Sequence, residues 1–295
     1  MAEHLSSMDP VSLKTFITVA ECRSFSAAAE SLHMTQPAIS KRVARLEQAL
    51  DSPLFDRVGH NIQLTNAGAL LLQQAKQILQ SIQFTQQTIM NLKGAAKGPL
   101  QIATGHHIGM YRLPAIWREL QKLFPEIDLN IQFMDSEDAY QGIIDGNIEI
   151  AVLTLPEKPH PSIRTYEIWQ DTLSLFCAKD SDLARHRLLS LEELASYPVV
   201  LPNKNTFTRL KIHEYFLQQG IDLAKVKTGD YLETIKVLVE CNLGWSVLPD
   251  IMSNRNLHKL DIDFNLDRSL GLIHHQKRPL SVAGQEFLRL LQQAM

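Results

Sequence analysis

The chain has 295 residues, and its 29 Lys and Arg against 32 Asp and Glu leave a net charge of −3. A hydrophobic content of 45% is that of a globular protein, so wholesale disorder is excluded, and the length exceeds what one ordinary domain needs. The acidic total excludes an indiscriminate polyanion binder, because nothing in the bulk charge attracts nucleic acid.

Residues 11–66 read as short helical segments in close succession. Val11, Leu13, Phe16, Ile17 and Ala20 recur at helical spacing, and Arg23-Ser24 marks a break. A compact Ala-rich helix is expected over 26–33. A third helix follows Met34, with Thr35 as its N-cap and Pro37 in the first turn, where a missing N–H costs nothing. Ile39, Val43, Leu46 and Leu50 form its buried face, and Asp51-Ser52-Pro53 stops it. Residues 55–64 alternate around Gly59-His60-Asn61, the pattern of a small hairpin.

Over 66–93 the pattern changes. There is no Pro, Gln is frequent, and Leu71, Ala75, Ile78, Ile82, Thr85, Ile89 and Leu92 form a heptad seam. Such a helix extends roughly 40 Å. It reads as a dimerisation helix, with Leu71, Ile78, Ile82 and Ile89 at the interface; packing on the following domain is the alternative that a single seam also serves. The run from Gly94 to Pro99 ends it as a hinge.

From Leu100 strands and helices alternate. Strands are expected over 100–104, 129–134, 148–154, 173–177, 199–201, 225–228, 245–248 and 270–274, with a closing helix over 282–291. Alternation of this kind implies parallel sheets covered by helices, and the region holds enough strands for two of them.

Cys22, Cys177 and Cys241 are far apart and lack metal spacing, so they read as reduced thiols. No basic segment followed by an apolar run opens the chain, and apolar stretches such as 69–72 fall far short of the ~20 residues a bilayer requires. A soluble cytoplasmic protein with no membrane partner is expected.

The first region has the organisation of a winged helix-turn-helix. The polar face of its third helix carries Gln36, Pro37, Ser40, Lys41, Ala44 and Arg45. The N-terminal residues of a recognition helix read base edges, which places Gln36, Ser40 and Lys41 over bases of double-stranded DNA. Arg42 and Arg45 suit phosphates, and Arg57 in the hairpin could reach a neighbouring groove. Residues 1–66 hold six Lys and Arg and seven Asp and Glu, yet 35–45 carries three cations and no acid. Cations so confined fit a sequence reader that depends on paired half-sites.

At these residues the chain resembles the LysR-type transcriptional regulators. The matching runs are Phe25-Ser26-Ala27-Ala28-Ala29, then Thr35-Gln36-Pro37-Ala38-Ile39-Ser40, Leu46-Glu47, Leu54-Phe55-Asp56-Arg57 and Leu64-Thr65-Asn66-Ala67-Gly68. Weaker matches at Leu113-Pro114, Phe124-Pro125, Leu248-Pro249 and Pro279-Leu280-Ser281 extend the likeness along the chain. The resemblance implies an α+β winged helix-turn-helix over 1–66 with Ser26 and Thr35 among its DNA contacts, and a linker helix and hinge over 67–97. It further implies an α/β, two-lobed effector domain over 98–295, similar to a periplasmic binding protein. Lobe I would take 98–170 and 271–295, and lobe II 171–270. Dimers assembled into a homotetramer, and contact with RNA polymerase, belong to the same implication.

In open α/β sheets ligands sit beyond the C-terminal ends of strands, beside helix N-termini. Four junctions qualify: Thr104-Gly105-His106-His107, Ser136, Thr154, and Thr206 with Thr208 ahead of Arg209. Their N–H groups, hydroxyls and imidazoles suit a small carboxylate or oxyanion, although Ser136, Thr154 and Thr206 could equally be helix caps. The resemblance puts effector contacts at His106, His107, Thr154 and 206–208. The stretch from Ile102 to His106 also looks like the sulfur-metabolism branch of the family, which has a hydroxyl where His107 stands, so that branch's ligand does not carry over.

Neither a metal nor another cofactor is expected. His106-His107 and His274-His275 are adjacent pairs; read as strand residues, each pair offers one ligand to a site, and nothing completes a set. No nucleophile elbow, P-loop or zincin pattern suggests an enzyme. The expectation is a regulator whose promoter binding responds to a small effector; the alternative is a stand-alone small-molecule binding protein whose N-terminus only oligomerises.

Overall fold

The computed structural model describes residues 8–58, 61–91, 96–186, 189–223 and 225–294, without the side chains of 57, 58, 61, 80, 83, 84, 87, 88, 90 and 91. The hairpin tip Gly59-His60, Leu92 of the seam, Gly94-Ala95 of the hinge and the side chain of Arg57 lie outside the described residues. The chain divides near residue 93 into two compact units.

In the first unit α1 spans Pro10–Cys22 and starts at Asp9, whose carboxylate accepts the N–H groups of Val11 and Ser12 at 2.8 and 3.0 Å. Helix α2, Phe25–Ser31, is capped by the Ser24 hydroxyl, so it begins one residue before the sequence pattern suggests and Ser26 lies exposed inside it. Helix α3, Gln36–Leu50, starts at Thr35, but the Thr35 hydroxyl makes no capping bond. Pro37 removes one of the two N–H groups that a cap hydroxyl would accept from; only the Thr35 carbonyl serves, accepting from Ala38 and Ile39. Strands β1, Phe55–Val58, and β2, Asn61–Leu64, form the antiparallel wing, and Glu47 ties α3 to it by accepting the Leu54 N–H at 2.8 Å. Leu13, Phe16, Leu46 and Leu54 form one part of the core; Val19, Ala28, Ile39 and Val43 form the other.

Helix α4, Asn66–Asn91, is 26 residues long. Its start requires Gly68, because a Cβ there would stand 2.1 Å from the Leu54 carbonyl oxygen. The expected seam divides in two. Leu71, 8% exposed, and Ala75, fully buried, pack into the core of the winged helix itself, so Leu71 is not an interface residue. Leu72 and Leu79 of the same helix pack against this core as well. Ile78 and Ile89 are exposed and Ile82 is half-buried, with no apolar cluster around them among the described residues.

The second unit contains β3 (Gly98–Thr104), α5 (His106–Tyr111), α6 (Pro114–Leu123), β4 (Ile127–Phe133), α7 (Ser136–Asp145), β5 (Ile150–Thr154) and β6 (Ile163–Ala178). Then come α8 (Leu191–Ala195), β7 (Val199–Pro202), α9 (Phe207–Gln218), β8 (Val226–Gly229), α10 (Leu232–Glu240), β9 (Ser246–Pro249), β10 (Leu257–Lys259), β11 (Leu266–His275) and α11 (Val282–Gln293). One seven-stranded sheet follows the order β10-β6-β11-β5-β3-β4, with β9 also on β6, and β7 and β8 form a separate parallel pair. The expectation of two parallel sheets is therefore corrected. Parallel pairing is confined to β3 with β4 and β5, and to β7 with β8. Strand β6 leaves one lobe for the other and β11 returns, so the two must run antiparallel, and they pair along ten residues of β11.

Core packing defines the lobes. Leu100, Ile108, Val152, Ile168, Leu270 and Phe287 share one cluster, while Leu173, Leu201, Phe216, Trp245 and Leu266 share another. The strands cross between the lobes at residues 168–173 and 266–270. A bulge between Leu270 and Gly271 lies at this crossing, and a Cβ on Gly271 would stand 2.2 Å from the Tyr166 carbonyl oxygen.

Candidate functional site

Helix α3 presents Gln36, Pro37, Lys41, Ala44 and Arg45 to solvent, with Ser40 half-buried beside them. Gln36 and Ser40, one turn apart, are linked: Nε2 of Gln36 donates to Oγ of Ser40 at 3.0 Å. Arg42 is half-buried on the side toward Asp9. Burial alone would push the Asp9 carboxyl up, but hydrogen bonds from Ser12 and Val11 and the Arg42 charge outweigh it and hold the group below its ordinary value. Ser26 and Thr35 are exposed.

In the second unit a cleft opens between the lobes, with a volume of about 460 Å³ including the solvent at its mouth. Strand ends and helix starts build it: Gly105, His106 and His107 after β3, Asp135, Ser136 and Glu137 after β4, Thr154 at the end of β5, and Asp230, Tyr231 and Glu233 after β8. Thr206 and Thr208 at α9 and Arg268 on β11 complete the wall.

Arg268 is the floor. Its side chain is 1% exposed, and it stands directly across from Asp171 in the β6–β11 register. Nε and Nη2 donate to Asp171 Oδ2 at 2.9 and 2.8 Å, Nη1 donates to the Thr208 hydroxyl at 2.5 Å, and Nη2 meets His107 Nε2 at 2.9 Å. Arg112 adds a second guanidinium to Asp171, at 3.0 Å. Because a guanidinium only donates, His107 Nε2 accepts and the ring proton sits on Nδ1. Burial, then the charges of Arg268, Arg112 and His106, hold His107 well below the ordinary imidazole value, so it is neutral.

The other expected contacts divide. Thr104 is fully buried and its hydroxyl donates to the Val152 carbonyl at 2.9 Å; it holds the sheet and does not face the cleft. Gly105 has an ordinary φ of −66°, so its backbone does not require glycine. Thr206 caps α9, accepting from the Arg209 N–H at 3.2 Å and donating to the Asn203 carbonyl at 3.0 Å. Ser136 Oγ accepts the Thr154 N–H at 3.3 Å. His106 and His107 stand on a helix, not a strand, and both reach the cleft. His274 is buried and stacks on Tyr166. No group of three His, Cys, Asp or Glu that could hold a metal ion occurs among the described residues.

Sequence reasoning missed the carboxylates. Glu137 reaches across the lobes and accepts the Phe207 N–H at the start of α9. Burial pushes Glu137 and Asp135 up from the ordinary carboxylate range, and neighbouring Asp138 adds to the shift. Asp230 accepts from Asn203 at 3.0 Å. Both oxygens of Glu233 are enclosed and accept no hydrogen bond. The lining thus has four carboxylates against one cation that is already paired, and this balance runs against the expected small anion. In the lining the His106 ring lies 4.2 Å from Tyr231, and on β4 the Phe133 ring lies 5.2 Å from it.

A DNA-reading module followed by a two-lobed ligand domain defines the class of ligand-responsive transcription regulators. Residues 11–69 match the bacterial regulatory helix-turn-helix protein, lysR family, and residues 93–295 match the LysR substrate binding domain. The chain belongs to the LysR family of transcriptional regulators. It is 27% identical to the HTH-type transcriptional activator CmpR of Synechocystis sp., over 94% of this chain and 93% of that protein. It is 53% identical to an HTH-type transcriptional regulator in the ibpB-leuC intergenic region of Azotobacter vinelandii, over 36% of this chain and 74% of that protein. Full-length CbnR, solved with its target DNA, shares the fold: TM-score 0.71 at 21% identity, covering 97% of this chain and all of CbnR (100%). No helix among the described residues is long and apolar enough to cross a membrane.

Proposed function

We propose that the protein binds paired promoter half-sites in the cytoplasm as a dimer or a homotetramer, and that a small molecule in the interlobe cleft modulates this binding without a cofactor. The observation that carries the reading is the α3 face, where linked Gln36 and Ser40 adjoin two solvent-facing cations, Lys41 and Arg45. Gln36, Ser40 and Lys41 read bases; Arg42, Arg45 and Arg57 meet phosphates. Ile78, Ile82 and Ile89 join copies of the chain. In the cleft, His106, His107, Ser136, Thr154 and Thr208 border the effector. A ligand that prefers one closure state shifts the relative positions of the paired winged helices. CmpR is an activator, and on that likeness the DNA-bound assembly engages RNA polymerase.

Ser40→Ala with Lys41→Ala tests this by retardation of DNA from the protein's own genomic neighbourhood. Loss of base contacts worth about 1–3 kcal/mol each lowers specific affinity at least tenfold. If the native protein retards no such DNA at low salt, the proposal fails.

A further inference from the structure

We propose that the cleft takes a small organic cation, an amine or amidine charged at neutral pH, with its charged group against Glu233. This rests on the reading of the cleft as the effector site and adds the chemical class of the effector.

Glu233 is the first observation. Both of its carboxylate oxygens are enclosed without a hydrogen-bond partner, on a residue that lines the cleft. A carboxylate taken out of water needs a donor or a counter-charge. Arg268 lies within its electrostatic reach. That guanidinium already serves Asp171, Thr208 and His107. Of the other three carboxylates of the wall, Glu137 takes the Phe207 N–H, Asp230 takes Asn203, and Asp135 lies within electrostatic reach of His106. Glu233 is left for something from outside.

The rim is the second, independent observation. Tyr231, which lines the cleft, remains 41% exposed although it is large, and its ring lies 4.2 Å from that of His106. Aromatic faces beside carboxylates attract organic cations through the ring quadrupole. For an anion, His107 is neutral and Arg268 is already paired. The N–H groups at the start of α9 are also partly taken, because Glu137 occupies one of them.

The test uses the full-length protein and its melting temperature. Putrescine, agmatine and ethanolamine are compared with acetate, succinate and sulfate at equal ionic strength. At a hundredfold excess over its Kd, a bound amine raises Tm by roughly 6 °C. Glu233→Gln abolishes that rise and, without ligand, melts higher than the parent, because an unpaired buried charge is gone. Tyr231→Leu, at an exposed position, weakens the rise while leaving the unliganded Tm in place. A rise with anions and none with amines overturns the cation and leaves the effector cleft standing. No rise with any probe overturns the cation, and so does a Glu233→Gln variant that melts lower than the parent, since the carboxylate then has a structural partner. DNA retardation by the parent decides separately about the regulator.

Discussion

Replacing Arg268 by Met removes four hydrogen bonds from the cleft floor and leaves Asp171, 2% exposed, facing Arg112 alone. Truncating one member of a buried ion pair costs about 3–5 kcal/mol, because the remaining charge has been taken out of water. Arg112 keeps part of the compensation, which points to the lower end, about 3 kcal/mol. For a unit the size of residues 94–295, ~2.1 cal/mol/K per residue gives an unfolding entropy of ~0.4 kcal/mol/K. The melting temperature then falls by roughly 7 °C. Asp171→Leu strands two guanidinium groups and costs more. The double variant recovers much of the loss, since apolar side chains of similar volume replace such pairs at little cost. The assay is built into the sequence: the three tryptophans, Trp117, Trp169 and Trp245, all lie in the second unit, so their fluorescence follows its unfolding alone. A fall below about 2 °C for Arg268→Met, or a coupling with Asp171→Leu below about 1 kcal/mol, refutes a desolvated pair.

Two further outcomes follow from the same residues. Ile82→Glu places a charge on the uncovered half of the α4 seam, and light scattering should report a smaller assembly than the parent; an unchanged mass assigns that face to another role. His107 is neutral in the fold because its value is depressed from 6.5, so its contribution is present above pH 6.5 and is lost as the pH falls toward the lowered value. Raised Glu137 and Asp135 act oppositely, favouring the fold on their acid side. His107→Gln, whose carboxamide oxygen still accepts from Arg268, should therefore flatten the loss of Tm below pH 6.5; curves that run parallel to the parent's remove the imidazole from the account.

The winged helix was legible because its signals are local. Pro37 near a helix start, Ser24 before an Ala-rich segment and Gly68 beside the wing each declare a backbone requirement within a few residues. Strand β6 was less so: through 163–172 only Ile163, Ile168 and Asp171 are buried, and burial becomes continuous only from Leu173, so the segment 173–177 stood out alone. β10 is three residues long and carries no pattern. Arg268 was invisible for another reason. Its partner Asp171 is 97 positions away, and only the register of β6 against β11 brings them together. The carboxylates were within reach. Asp135 follows β4 and Asp230 follows β8, so the rule that locates Ser136 and Thr154 also locates them.

Charge also sets what the DNA-reading module can do alone. Suppose Arg42, Arg45 and Arg57 each meet one phosphate. The logarithm of affinity then falls with the logarithm of salt at a slope of about −2.7 for one module and about −5.4 for two on adjacent half-sites. A single module with that footprint and a net charge of −1 over residues 1–66 has little nonspecific attraction to hold it on DNA at physiological salt. Two modules on one assembly bind the second half-site at the effective concentration that their connection imposes. Residence on a promoter therefore depends on the geometry between modules more than on the affinity of either. Ile78 and Ile89 stay exposed on α4 with no apolar cluster around them among the described residues, and the proposed assembly would use them to set that geometry.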